Sequence, residues 1–347
     1  MISIPIKNVY HMLVYAFKEL KSKQYERLNR DDCENIYDLL TALLLCATQM
    51  LIKRGFLKSY VEQSDEIATL RGKINIGNSI RKLSFQNARA VCDFDEFSSN
   101  IYFNQVLKAT LLYLKNKPLQ GNIKRDVCAT LMYFGEIDTI SISSIKWDVL
   151  RAFNRNRNNA HYDTPLYFAA LICEEAIPGQ NKGDRDFRTL EEKFLPSLFE
   201  RFIYAFYKKH LESCKVSFQQ PIKWNANNAD GMLPGMILDT VILDGGLKLI
   251  IDTKFYSKTL QSNENNKLTI RSNHLYQIFA YVKNEAAQTA DKEVRGMLLY
   301  PKVDIGLENS YTIAGNHFYV QTVDLNQDFD SIKLELLAIY ENVTAGS

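Results

Sequence analysis

The chain has 347 residues, 46% hydrophobic and 24% charged, a globular composition long enough for two domains. Its 42 basic and 40 acidic residues leave a formal charge of +2, too mild for a protein that grips nucleic acid unaided. No two of the six cysteines form a C-x-x-C pair, which excludes the common zinc and redox motifs and reads as reduced thiols in a cytoplasmic protein. No run of about 18 apolar residues suggests a membrane span, and the opening MISIPIKN is not a signal peptide.

In chain order, Ile6, Val9, Tyr10, Leu13, Phe17 and Leu20 share one face of a helix over 6–20. A second, more apolar helix covers 36–53, with Gly55 just past its end. Short strands are expected at 59–62, 73–76 and 89–94, with the basic turn Arg71-Gly72-Lys73 exposed between them. Ser98 or Ser99 is expected to cap a helix reaching Lys117, which Pro118 ends, and another helix covers 123–134. The polar, basic stretch 151–159, with Arg151, Arg155 and Arg157, reads as an exposed linker and places a domain boundary, giving 1–160 and 161–347. A helix over 162–176 and a turn-rich loop over 177–183 follow. There is no Walker A pattern. The second half then reads as a helix from Pro196 to Glu212, a strand at 216–220, two strands within 236–254, a helix at 275–285 and a strand at 294–300. Strands within 311–325 and a helix at 328–342 close the chain.

The segment GMILDTVILDGGLKLIIDTKFY at 235–256 holds the chemistry. Two apolar, β-branched runs flank Asp244-Gly245-Gly246, the residue types of a tight hairpin turn. A loop of Gly245-Gly246 pairs Asp244 with Leu247 and, in the same register, sets Asp239 opposite Asp252. Lys254 then shares their face, because side chains alternate along a strand. A loop of Asp244-Gly245 also keeps the three together, and a three-residue loop separates them. Opposed carboxylates repel, so they must share a proton, take a cation or sit solvated at the hairpin's end. A hard cation such as Mg²⁺ binds through one or two carboxylates, with water and substrate phosphate filling the rest of its shell. A neighbouring lysine can orient the attacking water or stabilise negative charge. That is chemistry for phosphodiester hydrolysis.

Asp239 followed by Asp252-Thr253-Lys254 resembles the PD-(D/E)XK nuclease motif, with Leu238 where that motif has proline. The order αβββαβ of the second half resembles that superfamily's core, which implies an α/β (α+β) fold built on a mixed sheet. The resemblance implies Asp239, Asp252 and the Thr253 backbone carbonyl as metal ligands and Lys254 as the catalytic lysine. It also implies that Glu200, on the preceding helix, binds metal directly or through water. Gln277 and Tyr281, four residues apart on one helix face, resemble a Gln-x-x-x-Tyr helix that supports the site or contacts DNA in some of these nucleases. His274 is a weaker candidate one turn earlier. Lys258, Lys267 and Arg271 lie in a long polar loop beside the site.

Nearly the whole chain resembles the McrC family, the nuclease subunit of the McrBC modification-dependent restriction system. The segments that carry this are IPIKNVYHMLVYAF, RGKINIGNSIRK, CDFDEFSSNIYFNQVLK, IPGQNKG, LDTVILDGGLKLIIDTKFY, LYQIFAYV and LLYPKVD. The resemblance implies a division of labour. A McrB-like hexameric AAA+ GTPase, which binds the GTP, selects DNA at modified cytosine. The N-terminal domain of this chain docks on that ring and stimulates it, with Arg71 and Lys73 as candidate contacts. The C-terminal domain cuts double-stranded DNA with Mg²⁺. The alternatives are an adaptor that activates the GTPase with a silent nuclease fold, and a repair nuclease acting alone.

Overall fold

The computed structural model describes residues 4–17, 20, 33–146, 159–176, 188–226, 232–256, 260–262, 268–289, 291–303 and 305–345. The basic stretch with Arg151, Arg155 and Arg157, the loop 177–183, and Lys258 and Lys267 lie outside the described residues. The chain forms two compact units, Met1–Ser22 with Phe187–Ser347, and Lys23–Asp186.

The first unit opens with α1 (Ile6–Ala16) and resumes with α7 (Arg188–His210), the elements between them belonging to the other unit. Its centre is a six-stranded mixed sheet in the order β10-β11-β9-β6-β5-β4. β4 (Lys215–Ile222), β5 (Met236–Asp244) and β6 (Leu247–Thr253) form an antiparallel meander. β9 (Glu293–Pro301) then runs parallel to β6, and β11 (Asn316–Val323) parallel to β9. β10 (Glu308–Ile313) closes one edge antiparallel to β11. A small hairpin, β7 (Leu260–Ser262) with β8 (Leu268–Ile270), interrupts the expected polar loop. It leads into α8 (Ser272–Gln288), which packs on β6 and β9, and α9 (Phe329–Ala345) packs on β11. Thus α7-β4-β5-β6-α8-β9 reproduces the expected αβββαβ order, with the short hairpin inserted. The inner strands β6 and β9 are buried on both faces, with Lys248 to Asp252 of β6 and Val294 to Pro301 of β9 covered in unbroken runs. Gly296 seats α8 close to the sheet, since a Cβ there would lie 2.7 Å from Val282 Cγ2 and 2.9 Å from Ile278 Cγ1.

The second unit holds α2 (Ile36–Arg54), α4 (Tyr102–Lys115), α5 (Gly121–Leu131) and α6 (Asp163–Ala176), packed on one another. Asn35 caps α2, its Oδ1 accepting from the Asp38 N–H, and Gly55 ends it at φ +92°. Contrary to expectation, α2 is long and apolar enough to cross a membrane, yet 67% of that stretch is buried, with Leu40, Leu43 and Leu44 fully covered. It is the core helix of this unit. Buried Tyr162 accepts from the Leu57 N–H at 2.8 Å and donates to Asn104 Oδ1 at 2.6 Å, joining α4 to the chain after α2. β1 (Ser59–Ile67) and β3 (Ala90–Ser98) pair antiparallel over nine residues, and β2 (Lys73–Ile74) pairs with the other side of β3. The short helix α3 (Ile76–Arg81) follows β2.

Several boundaries differ from expectation. The serine cap of α4 is absent: Ile101 holds the cap position with no side-chain bond, and Ser98 Oγ accepts from the Asn100 N–H instead. Pro196 does not open its helix but lies inside α7, whose following residues Phe199, Phe202 and Phe206 are buried, so packing outweighs the lost backbone bond. The division also falls elsewhere than at residue 160. α1 joins the C-terminal half, because Asn8 Nδ2 donates to the Leu325 and Gln327 carbonyls at 2.8 Å and Tyr15 OH lies 2.9 Å from His210 Nε2. Tyr15 also meets Phe202, Phe206 and Phe329. α6, in turn, packs on α2 and α4 and belongs to the second unit.

Candidate active site

The hairpin has the two-residue loop Gly245-Gly246, with Gly245 at φ +54° and Asp244 paired with Leu247. The ladder continues to Thr240 opposite Ile251. In the same register Asp239 comes next, facing Asp252. There the Thr253 N–H donates to Asp239 Oδ2 at 2.9 Å, and Thr253 Oγ1 donates to the same oxygen at 3.1 Å. Asp239 is thus fixed by the residue that follows its partner.

Asp252 is 1% exposed. Lys254 Nζ lies 2.8 Å from its Oδ2, yet neither Asp252 oxygen has a hydrogen bond of good geometry among the described residues. Lys254 is anchored through its backbone N–H, which donates to the Leu299 carbonyl at 2.9 Å and so extends the parallel pairing of β6 with β9. Its ammonium donates to Gln277 Oε1 at 2.8 Å, and Gln277 Nε2 donates to Tyr281 OH at 2.8 Å. The helical spacing places both α8 side chains over the hairpin, forming a chain Asp252–Lys254–Gln277–Tyr281.

Glu200, on α7, accepts from Gln219 Nε2 at 3.2 Å rather than joining the aspartates by a hydrogen bond. Its charge still reaches them. Burial raises the Glu200 carboxyl above its usual range, and the charge on Asp239 raises it further. Burial likewise raises Asp239, against the Thr253 N–H and the Lys254 ammonium. Asp252 is pushed up to about 6, first by burial; Lys254 opposes this, while the charges on Asp239 and Glu200 add to it. Three carboxylates and one ammonium therefore share one poorly solvated site.

Its donors suit a hard cation. Asp252 offers two buried oxygens without good hydrogen bonds, and Asp239 is pre-oriented. Among the described residues no group of three His, Cys, Asp or Glu side chains converges as a ready-made metal cage. A cation that takes one or two carboxylates, a carbonyl, water and substrate phosphate does not require one.

His274 turns to a different partner, its Nδ1 lying 2.9 Å from Tyr300 OH. Arg271 lies over the ring of Tyr256 at 5.0 Å, and that ring is 4.8 Å from His274. Sequence reasoning missed Gln219 and Tyr300. Gln219 falls between the pairs Phe218–Thr240 and Gln220–Leu238, beside Asp239 in register, with a left-handed φ of +46°. No turn-forming residue type marks that conformation. Tyr300 reaches the site through parallel pairing, which has no tight turn to reveal its register.

Comparison with known proteins agrees with this architecture. Residues 7–301 match the family model described as "McrBC 5-methylcytosine restriction system component". A relative from Escherichia coli (strain K12), the type IV methyl-directed restriction enzyme EcoKMcrBC, is 28% identical over 345 residues, covering 97% of each chain. A chain in the refined half-complex from the tetradecameric assembly of Thermococcus gammatolerans McrB AAA+ hexamers with bound McrC shares the fold. It has a TM-score of 0.51 at 16% identity, covering 97% of this chain and 78% of that one. The match spans most of the sequence and takes in both units, the hairpin and α8, so the chain belongs to the McrBC 5-methylcytosine restriction system component family.

Proposed function

We propose that this chain is the McrC-type, DNA-cutting subunit of a restriction complex driven by a McrB-like ring GTPase, and that its six-stranded unit is a PD-(D/E)XK endonuclease. The observation that carries the reading is buried Asp252 with half-buried Asp239 next to it in the register of the hairpin and Lys254 2.8 Å from Asp252, at the motif's spacing. The E. coli relative is a methyl-directed restriction enzyme, and the Thermococcus gammatolerans assembly joins McrB hexamers to McrC. This chain's near-neutral charge suits a subunit that receives its DNA from such a partner.

Asp239, Asp252 and the Thr253 carbonyl would hold Mg²⁺, with Glu200 reaching it directly or through water. Such an ion, when bound, neutralises phosphate charge and makes water a better nucleophile. The protein's part is positional and electrostatic. Thr253 orients Asp239. Lys254 orients the attacking water or stabilises the charge developing on the phosphate, while Gln277 and Tyr281 hold the ammonium in place.

The unit Lys23–Asp186 would dock on the ring and stimulate GTP hydrolysis. Its three-stranded sheet exposes Tyr60 and Phe97, and α3 with the turn after it exposes Ile76, Ile80, Leu83 and Phe85, an apolar concentration typical of a protein interface. Arg71 lies over Phe94 at 4.5 Å, and Lys73 stands opposite Asp93 in register, so both cations flank this surface.

The test is cleavage of methylated and unmethylated DNA with Mg²⁺, by the chain alone and with its ring GTPase and GTP. Cutting of methylated DNA only in the complete mixture, lost in Asp252→Ala, supports the reading. Cutting by the chain alone indicates a self-sufficient nuclease. Undiminished GTPase stimulation without any cutting indicates an adaptor.

A further inference from the structure

The chain Asp252–Lys254–Gln277–Tyr281 leaves two buried polar groups on the same side of the sheet unused. His274 is 2% exposed and Tyr300 1%, Nδ1 lies 2.9 Å from the hydroxyl, and His274 Nε2 has no hydrogen-bond partner among the described residues. A half-satisfied polar pair is a poor way to fill a core, where two apolar side chains would pack without an orphan. What a hydrogen bond adds is direction.

The direction matters because of where the pair sits. β9 is in register with β6 through Asp252–Leu298 and Thr253–Leu299, so the next position along sets Tyr300 beside Lys254 on the same face. His274 is in the first turn of α8, and Gln277 lies one turn on, on the same helix face. Further along, α8 is seated by contact, Ile278 and Val282 closing on Gly296 where no Cβ fits. The helix is therefore held to β9 at two places: by packing at Gly296 and by a hydrogen bond at Tyr300. Gln277 stands between them, with its Oε1 2.8 Å from Lys254 Nζ.

We propose that the His274–Tyr300 hydrogen bond is a positioning device for Lys254: it sets the first turn of α8 so that Gln277 holds the ammonium in place against Asp252. The imidazole suits this role because it stays neutral, its basicity pushed down to about 4 by burial and then by the charges of Lys254 and Arg271. A neutral ring adds no positive charge to compete with Lys254 for Asp252. Both residues act through Gln277 and are positioning rather than catalytic. The consequence for cleavage rests on the nuclease reading; the geometry does not.

The experiment uses the full chain with two readouts. One is trace acylation of Lys254 by acetic anhydride, followed by peptide mass spectrometry relative to surface lysines. The other is kcat and KM for DNA cleavage in the complete mixture with Mg²⁺, ring GTPase and GTP. Tyr300→Phe removes the bond at nearly constant volume, His274→Leu removes it from the other side, and His274→Asn keeps an amide atom where Nδ1 stands. Expected for Tyr300→Phe and His274→Leu are a several-fold faster acylation of Lys254 and a fall in kcat of about tenfold or more with KM unchanged, the signature of a misplaced group. His274→Asn should restore both. Unchanged acylation in Tyr300→Phe and His274→Leu overturns the proposal, as does an Asn variant no better than Leu. If the wild-type mixture does not cut, the nuclease reading falls, and Lys254 acylation still decides the positioning claim.

Discussion

The hairpin β5–β6 and the pair β1–β3 are both long antiparallel pairings, and they break the inside-outside rule in opposite directions. In the hairpin, acids lie where apolar side chains belong: Asp252 is 1% exposed between runs of buried valine, leucine and isoleucine. In β1–β3, rings lie where acids belong: Tyr60 is 73% exposed and Phe97 58%, opposite one another in register with centroids 5.3 Å apart. Each inversion carries a cost that folding alone does not explain. A buried charge facing another charge suits chemistry, and exposed rings on a stiff sheet suit contact.

The largest test of this contrast removes the frame around the hairpin. Its unit depends on α1, far away in sequence, whose Val9, Tyr10, Met12 and Leu13 are buried. Four such side chains at about 2 kcal/mol each come to about 8 kcal/mol, comparable to the whole stability of a domain, about 5–15 kcal/mol. A chain lacking residues 1–22 should lose hydrogen-exchange protection throughout β5, β6 and β9 while β1 and β3 keep theirs. Equal protection of both regions would show that α1 is not part of the hairpin's support.

Next in size is a separation of activities. Asp252→Ala should lower DNA cleavage by about a thousandfold or more, about 4 kcal/mol of transition-state stabilisation, and leave GTPase stimulation at the wild-type level. A loss of both activities would mean that the acids shape the whole molecule and not only the site.

How much of this was legible depended on what fixed each register. The hairpin was readable as far as its turn allowed: either two-residue loop, Gly245-Gly246 or Asp244-Gly245, puts Asp239, Asp252 and Lys254 on one face by a period of two, and the structure has the Gly245-Gly246 loop. The shared face of Gln277 and Tyr281 was readable for the same local reason, the spacing of a helix, whereas their place beside the hairpin was implied only by the resemblance to Gln-x-x-x-Tyr nucleases. Tyr300 was not, because β9 joins β6 in parallel after an intervening hairpin and helix, and no tight turn sets that offset. Gln219 was hidden by a left-handed backbone at a residue type that rarely adopts it. The placement of α1 with the C-terminal half was invisible as well, since an amphipathic face states that a helix is buried but not against what.

A smaller effect concerns the cost of the buried acid. The Asp252 carboxyl is held at about 6 against 3.8 for its ordinary value, so the folded state binds that proton more tightly than the unfolded chain. Its contribution to stability is full below pH 3.8 and is lost as pH rises through about 6, leaving an ionised Asp252 as a burden at pH 8. Asp252→Asn should therefore stabilise the chain at pH 8 by up to roughly 3 kcal/mol, with the gain absent below pH 4. Urea unfolding of both proteins at the two pH values measures it. Added Mg²⁺ should raise the wild-type midpoint at pH 8 and leave the Asn variant nearly unmoved, because a ligand stabilises only the state that binds it. A gain that persists at acid pH would place its origin in packing rather than charge.

The smallest stability effect belongs to the exposed rings, and there the contrast is sharpest. A cross-strand aromatic pair contributes about 0.2–1 kcal/mol, and solvent already covers most of Tyr60 and Phe97. Replacing both, Tyr60→Ser with Phe97→Ser, should leave the thermal midpoint of the chain within a few degrees of wild type. Yet if this sheet meets the ring GTPase, the double variant should need about tenfold or more protein to stimulate GTP hydrolysis, about 1.4 kcal/mol of binding. Gly72→Val makes a harsher companion variant, because Gly72 is at φ +69° and a Cβ there would run into the Asp93 carbonyl oxygen and push β3 itself aside. Titrating each variant into the GTPase separates the two causes. A weaker titration with an intact midpoint in the ring variant assigns the rings to contact, whereas a loss confined to Gly72→Val assigns them to nothing and leaves the shape of the sheet as the partner's target.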